Sequence, residues 1–142
     1  MSALTWEEVA RLVTGVGSAH LATARPDGTP HVATVWAGVE GERLWFATMA
    51  SSRKAADLRA NPQVALAWAG NGAETYVWGR AELLADQVTR HRLWHGGILP
   101  YDPAAFFGSP DNPDLAMVRV TPTRATVLRA GPDGPGRERW RA

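Results

Sequence analysis

Residues 43–68 read RLWFATMASSRKAADLRANPQVALAW, and a change of period inside this stretch decides the fold. Residues 43–48 are a short apolar run with the Trp, Phe and Thr enrichment of a strand. Residues 52–60 carry Ala55, Ala56, Leu58 and Arg59, good helix formers, and Asn61-Pro62 stops them. Residues 63–68 return to a strand pattern. Upstream, 20–24 and 30–39 read as two strands joined as a hairpin by the turn Pro26-Asp-Gly28, and Glu40-Gly-Glu42 turns into the third. Downstream, a loop at 70–72 leads to a fifth strand at 74–84, a helix at 86–94 and an irregular Gly/Pro-rich segment at 95–114. Residues 115–120 read as a sixth strand, which 125–128 can prolong. At the start, Thr5-Trp-Glu-Glu8 has capping-box spacing. The stripe Trp6, Val9, Ala10, Leu12 and Val13 then predicts a short helix, ended by Gly15 and Gly17. Six short strands, mostly joined by tight turns, describe a mainly β chain, a small six-stranded antiparallel barrel. Regular strand–helix alternation, a dinucleotide glycine fingerprint and a phosphate loop are all missing. Residues 1–130 form one domain, and 131–142 read as a mobile Gly/Pro/Arg-rich tail.

Composition narrows the function. The 142 residues are 45% hydrophobic and 20% charged, enough for one buried core. Fifteen Lys+Arg against fourteen Asp+Glu leave a net charge of +1, which argues against nucleic-acid binding by charge neutralisation. Absence of cysteine excludes disulfides, thiolate–metal sites and thiol nucleophiles. Residues 1–13 carry Glu7, Glu8 and Arg11 and no leader-like apolar core, and no apolar run approaches the roughly 20 residues of a membrane helix. The expectation is a cytoplasmic protein with no membrane or nucleic-acid partner.

The chemistry is concentrated at 48–54. Ser51 or Ser52 suits an N-cap, which places Arg53 and Lys54, the only lysine, in the first helical turn. The helix dipole there favours anions by roughly 0.3–1 kcal/mol, so two cations beside hydroxyls fit a bound phosphate monoester. The competing reading pairs Arg53 with Asp57 at i,i+4 on the surface.

Phe46-Ala-Thr48, Ser52-Arg-Lys54, Leu58, Asn61-Pro62 and Val64-Ala-Leu66 together resemble the central motif of the pyridoxamine-5'-phosphate-oxidase-like, FMN-binding split barrels. Leu21-Ala-Thr23, Asp27-Gly28, Pro30-His-Val32, Val35-Trp36 and Leu44-Trp-Phe46 fit the same family. Leu93-Trp94, Phe107-Gly108, Asp111-Asn-Pro-Asp-Leu115 and Arg119-Val120 resemble its general-stress-protein branch. The resemblance implies a split-barrel homodimer with a flavin at each end of its interface. Thr48, Ser52, Arg53 and Lys54 would hold the FMN phosphate. His31, Val32, Ala33, Thr34, Val35 and Trp36 would run along the isoalloxazine ring, largely through backbone groups. Glu74 stands where the family often has a glutamine touching flavin across the dimer, and a carboxylate donates no hydrogen bond unless protonated. The second strand lacks the phosphate-contacting arginine of the larger oxidases, and no carboxy-terminal Arg/His segment supports pyridoxamine-phosphate oxidation itself.

Other constellations weigh less. His91 and His95 share one helix face, but with no third ligand metal binding is not expected. His20 reads as a hydrogen-bonded structural histidine, and His31 as the better functional candidate. Thr5, Ser18 and Ser109 lack a base partner, and residues 111–114 read as turn chemistry. The leading expectation is an FMN-dependent oxidoreductase acting on a small molecule, with its catalytic side chains unassigned. The alternatives are a reductase using the deazaflavin coenzyme on the same fold, and a flavin-binding stress protein without turnover.

Overall fold

The opening helix follows from its cap. Thr5 sits in extended backbone, its hydroxyl accepts from the Glu8 amide at 3.2 Å, and the Glu8 carboxylate accepts from the Thr5 amide at 2.9 Å. Helix α1 (Trp6–Val16) then buries Trp6, Val9 and Val13. The computed structural model describes residues 3–142; Met1 and Ser2, where the expected domain begins, lie outside the described residues. After α1 come β1 (Ser18–Ala24), β2 (Pro30–Trp36), β3 (Gly38–Glu40), β4 (Arg43–Met49), α2 (Arg53–Ala60) and β5 (Gln63–Gly70). The chain continues through β6 (Ala73–Leu84), α3 (Gln87–His95), α4 (Ala104–Phe107), β7 (Leu115–Gly131) and β8 (Gly134–Arg141). No helix among the described residues is long and apolar enough to cross a membrane.

All the strand pairs are antiparallel, in the order β2-β1-β5-β6-β7-β4-β3, with β8 added to β7. Among the described residues the sheet therefore has eight strands rather than six, and it is not closed: β2 and β3 stand at the two ends of the path. Two corrections account for the extra strands. The expected single strand at 30–39 breaks at the buried Ala37, because β2 pairs with β1 whereas β3 pairs with β4. The expected mobile tail is a strand instead. Pro132 and Asp133 turn the chain, and Gly131↔Gly134 through Arg124↔Arg141 pair β8 with β7. Arg137, Arg139 and Arg141 alternate with Glu138, which pairs with Arg129, and Trp140, whose ring lies 5.1 Å from Trp6.

Strand β7 changes neighbours midway. Its first part pairs with β4 and its second with β8, while β6 follows it throughout. Pro122, which has no amide hydrogen to donate, falls at the changeover, where the register with β6 shifts after Trp78. Gly79 opposite has no room for a side chain, since a Cβ would meet the Thr121 carbonyl oxygen at 2.4 Å.

The interior of the barrel holds Leu21, Phe46, Leu66, Trp68, Val77 and Val118, each at most 1% exposed. Burying side chains of this size contributes about 1.5–3 kcal/mol apiece. A second cluster of Trp45, Ala47, Leu93, Leu99, Leu115 and Met117 packs outside the barrel, beneath α3 and the segment after it. Strand β4 is therefore buried on both faces, which explains its unbroken apolar run.

Candidate functional site

Strand β4 delivers Thr48, 2% exposed, to the foot of α2. Its hydroxyl lies 3.1 Å from that of Ser52, and the Ser52 oxygen accepts from the Ala55 amide as the N-cap of α2. Ser52 is the cap because Ser51 is engaged elsewhere: its hydroxyl and amide both donate to the Asp114 carboxylate, at 2.6 and 3.0 Å. The Ala50 amide donates to the Asp114 carbonyl. The turn between β4 and α2 is thus tied to the start of β7. Helix α2 has no acidic residue in its first turn. Its positive dipole end and the Lys54 ammonium are left without a local counter-charge from that turn.

A cavity of about 230 Å³ opens here, lined by Thr34, Val35 and Trp36 of β2, Ala47, Thr48 and Met49 of β4, Ser52 and Lys54, and Tyr101, Phe106 and Phe107. It lies in the split of the barrel. Strand β2 has a ladder partner on one edge, β1. Strand β4 pairs with β3 only up to Trp45, so from Phe46 onward it too is paired on one edge among the described residues. Backbone groups on these two edges are available to a ligand.

Six of the residues expected from the sequence meet in this cavity: Thr34, Val35, Trp36, Thr48, Ser52 and Lys54. The others lie elsewhere. Val32 is 64% exposed and shares the outward face of β2 with Thr34 and Trp36. His31 and Ala33 have the inward parity, and the His31 Nδ1 stands 3.9 Å from the buried Asp57. Arg53 is absent from the lining and extends along α2 to within 3.9 Å of Asp57. The i,i+4 pairing expected on the surface therefore exists, but its carboxylate is buried. Glu74 accepts from the Tyr76 hydroxyl and lines a separate, shallow hollow of about 510 Å³ at the tips of two hairpins. That larger hollow gathers small residues around Arg129, whose charge Glu138 already meets, and offers no comparable convergence of polar groups. His20 is exposed rather than structural. His91 is bound to Asp111 at 2.7 Å.

Ala47, Met49, Tyr101, Phe106 and Phe107 were not expected in the site. The available signal was three aromatics within a Gly/Pro-rich loop, a placement that favours a ligand wall over a connector. Burial pushes the Tyr101 phenol up to about 12, against the pull of a backbone hydrogen bond with Ala47. It stays neutral across the physiological range.

The donor set fits a flat heterocycle carrying a phosphate: two strand edges for ring polar atoms, aromatic rings for its faces, and hydroxyls with an ammonium at a helix start. The cavity is smaller than the roughly 300 Å³ at the lower end of ligand pockets. It borders the outer sheet face. There Val32, Ala22, Ala65, Trp78 and Arg124 lie in one row, and Thr34, His20, Ala67, Tyr76 and Thr126 in the next. Glu74 belongs to the same face.

Comparison with known proteins agrees with this fold. A family model described as pyridoxamine 5'-phosphate oxidase matches residues 5–129. General stress protein 26 from Bacillus anthracis str. Sterne has a TM-score of 0.75 at 22% identity, covering 96% of this chain and 97% of that one. A pyridoxamine 5'-phosphate oxidase-related, FMN-binding protein from Nostoc punctiforme PCC 73102 has a TM-score of 0.65 at 20% identity, covering 96% and 91%. At these identities the likeness is one of fold. An F420 reductase is 30% identical, with a TM-score of 0.58 over 78% of this chain and 89% of its own. No curated protein sequence matches. The family match spans every residue that lines the cavity, and on that ground the chain belongs to the pyridoxamine 5'-phosphate oxidase family.

Proposed function

We propose that the protein binds FMN in the split of the barrel and serves as a flavin-dependent oxidoreductase in the cytoplasm. The observation that carries this reading is the meeting of the only lysine with the Thr48 and Ser52 hydroxyls in a cavity walled by aromatic rings and unpaired strand edges. Lys54 and the two hydroxyls would hold the phosphate, a charge-assisted arrangement. The free edge of β2 at Thr34–Trp36 would meet the ring's polar atoms, and Tyr101, Phe106 and Phe107 would keep water from one side. A bound flavin supplies hydride or electron-pair transfer, while the polypeptide supplies binding, orientation and electrostatics.

The reading includes a homodimer. The outer face of β2, β1, β5 and β6 leaves Val32 and Trp36 exposed beside a cavity too small to enclose a nucleotide alone. A second copy on that face would enlarge the cavity and bring its own outer-face residues, Glu74 among them, towards the split. A deazaflavin coenzyme is the second reading, supported by the 30% identity to an F420 reductase. Its phosphodiester would use the same Lys54 end.

Titration of the purified protein with FMN, riboflavin and the deazaflavin coenzyme tests both readings. FMN fluorescence should be quenched at micromolar protein, and Lys54→Ala should weaken FMN by at least about tenfold, ~1.4 kcal/mol, while sparing riboflavin. Equal losses for both ligands would sink the phosphate assignment, and preferential binding of the deazaflavin would replace FMN. Reduction assays with nicotinamide cofactors and dyes separate an oxidoreductase from a flavin-binding stress protein without turnover.

A further inference from the structure

Helix α2 begins with two successive cations, and they part company. Lys54 lines the cavity; Arg53 does not, and its Nη1 stands 3.9 Å from Oδ1 of Asp57. Asp57 is 1% exposed, the one buried charged side chain among the described residues. Its hydrogen bond comes from the Thr23 hydroxyl of β1, 3.1 Å from Oδ2, while Oδ1 has no hydrogen-bond partner among the described residues. On the other flank the His31 Nδ1 of β2, also without a hydrogen bond, lies 3.9 Å from Oδ2. Burying a carboxylate is costly unless a positive charge stands beside it, and the Arg53 guanidinium stands on the side of the unbonded Oδ1.

We propose that Asp57 is a positioning residue of the cofactor site. It takes Arg53 as its counter-charge, fixes α2 against β1 and β2, and leaves Lys54 as the cation that meets the phosphate. The phosphate part rests on the flavin reading and departs from the expectation that Arg53 and Lys54 share the anion.

Thermal melts without ligand test the charge pairing. Arg53→Gln should lower Tm by roughly 2–6 °C in the native background. The same change should matter little once Asp57→Asn has removed the buried charge. Equal losses in both backgrounds would overturn the pairing, since a mere packing role for Asp57 predicts that result. Arg53→Lys, which keeps the charge, should restore most of the loss even if Asp57→Asn does not fold, and failure to do so counts against the proposal. Inorganic phosphate should raise the Tm of the native protein and Arg53→Gln alike, but not that of Lys54→Ala. With flavins, Arg53→Gln should change the preference for FMN over riboflavin by no more than about twofold, whereas Lys54→Ala should reduce it at least about tenfold. Loss of phosphate or FMN preference in Arg53→Gln would overturn the assignment. Failure of every protein to bind flavin would defeat the function reading, while the melts and the phosphate series still decide the role of Asp57.

Discussion

The two sides of this barrel are built by opposite rules. Along β5 and β6 the strands are paired on both edges, with Trp68, Val77 and Leu66 buried beneath them. At the split, β2 and the second half of β4 each have one partner, and the space between them holds hydroxyls, an ammonium and aromatic rings. Backbone groups that satisfy each other are lost to ligands, so a small barrel can bind through its main chain only where its ladder is left incomplete. Stability should therefore reside on the closed side and affinity in the split.

The largest expected effect tests the closed side. Trp68→Ala in β5, at a residue 1% exposed, should cost about 3–5 kcal/mol in chemical denaturation, as large aromatic truncations do. Because Trp68 lies in the barrel core and not in the cavity lining, flavin affinity of the remaining folded protein should hardly move. A selective loss of affinity would erase the distinction between the two sides. Next comes Gly38→Ala in β3. Its Cβ would meet the Ile98 carbonyl oxygen at 1.8 Å, so the segment leading to Tyr101 must shift. An overpacking cost of about 1–3 kcal/mol is expected, together with a change in near-ultraviolet signal from the aromatic wall.

Asp114→Ala removes both Ser51 bonds to the carboxylate, leaving the backbone bond from Ala50 as the remaining tie between the turn and the start of β7, without touching the cavity lining. A loss of about 1 kcal/mol in stability should accompany weaker FMN binding, and unchanged binding would show that the turn needs no external support. Acid provides the smallest effect. The Arg129 guanidinium beside Glu138 holds its carboxyl below the usual carboxylate range. The carboxyl's depressed value means that the pair contributes fully above the ordinary carboxylate range and is lost as pH falls through the lowered value. Both side chains are more than a third exposed, so screening limits the contribution to roughly 0.2–1 kcal/mol. Melts at neutral and strongly acidic pH should differ slightly less for Glu138→Gln than for the native chain.

Local chemistry made much of this legible. The capping box at Thr5 and Glu8 and the stop at Asn61 act within a few residues of themselves, so they appear in the sequence as they appear in space, whereas the choice of Ser52 over Ser51 as the cap of α2 waited on the distant Asp114. The tail was harder. Pro132-Asp-Gly134 is a turn signal and Arg137-Glu-Arg-Trp-Arg141 alternates, but Gly and Pro obscured the strand until its register with β7 was known. Strand β3 was hidden because a continuous apolar run says nothing about a change of partner at Ala37.

By itself the sequence determined the antiparallel β class, the three longer helices to within about a residue, and the nearness of Thr48, Ser52 and Lys54, because period, caps and neighbouring residues are short-range properties; the short α4 lies in the segment it read as irregular. Only the tertiary structure decided that Arg53 turns to Asp57, that Tyr101, Phe106 and Phe107 complete the wall, and that two strand edges face each other across a gap. Each of those outcomes depends on groups distant along the chain and on which of them are withdrawn from water, and burial is a property of the packed molecule.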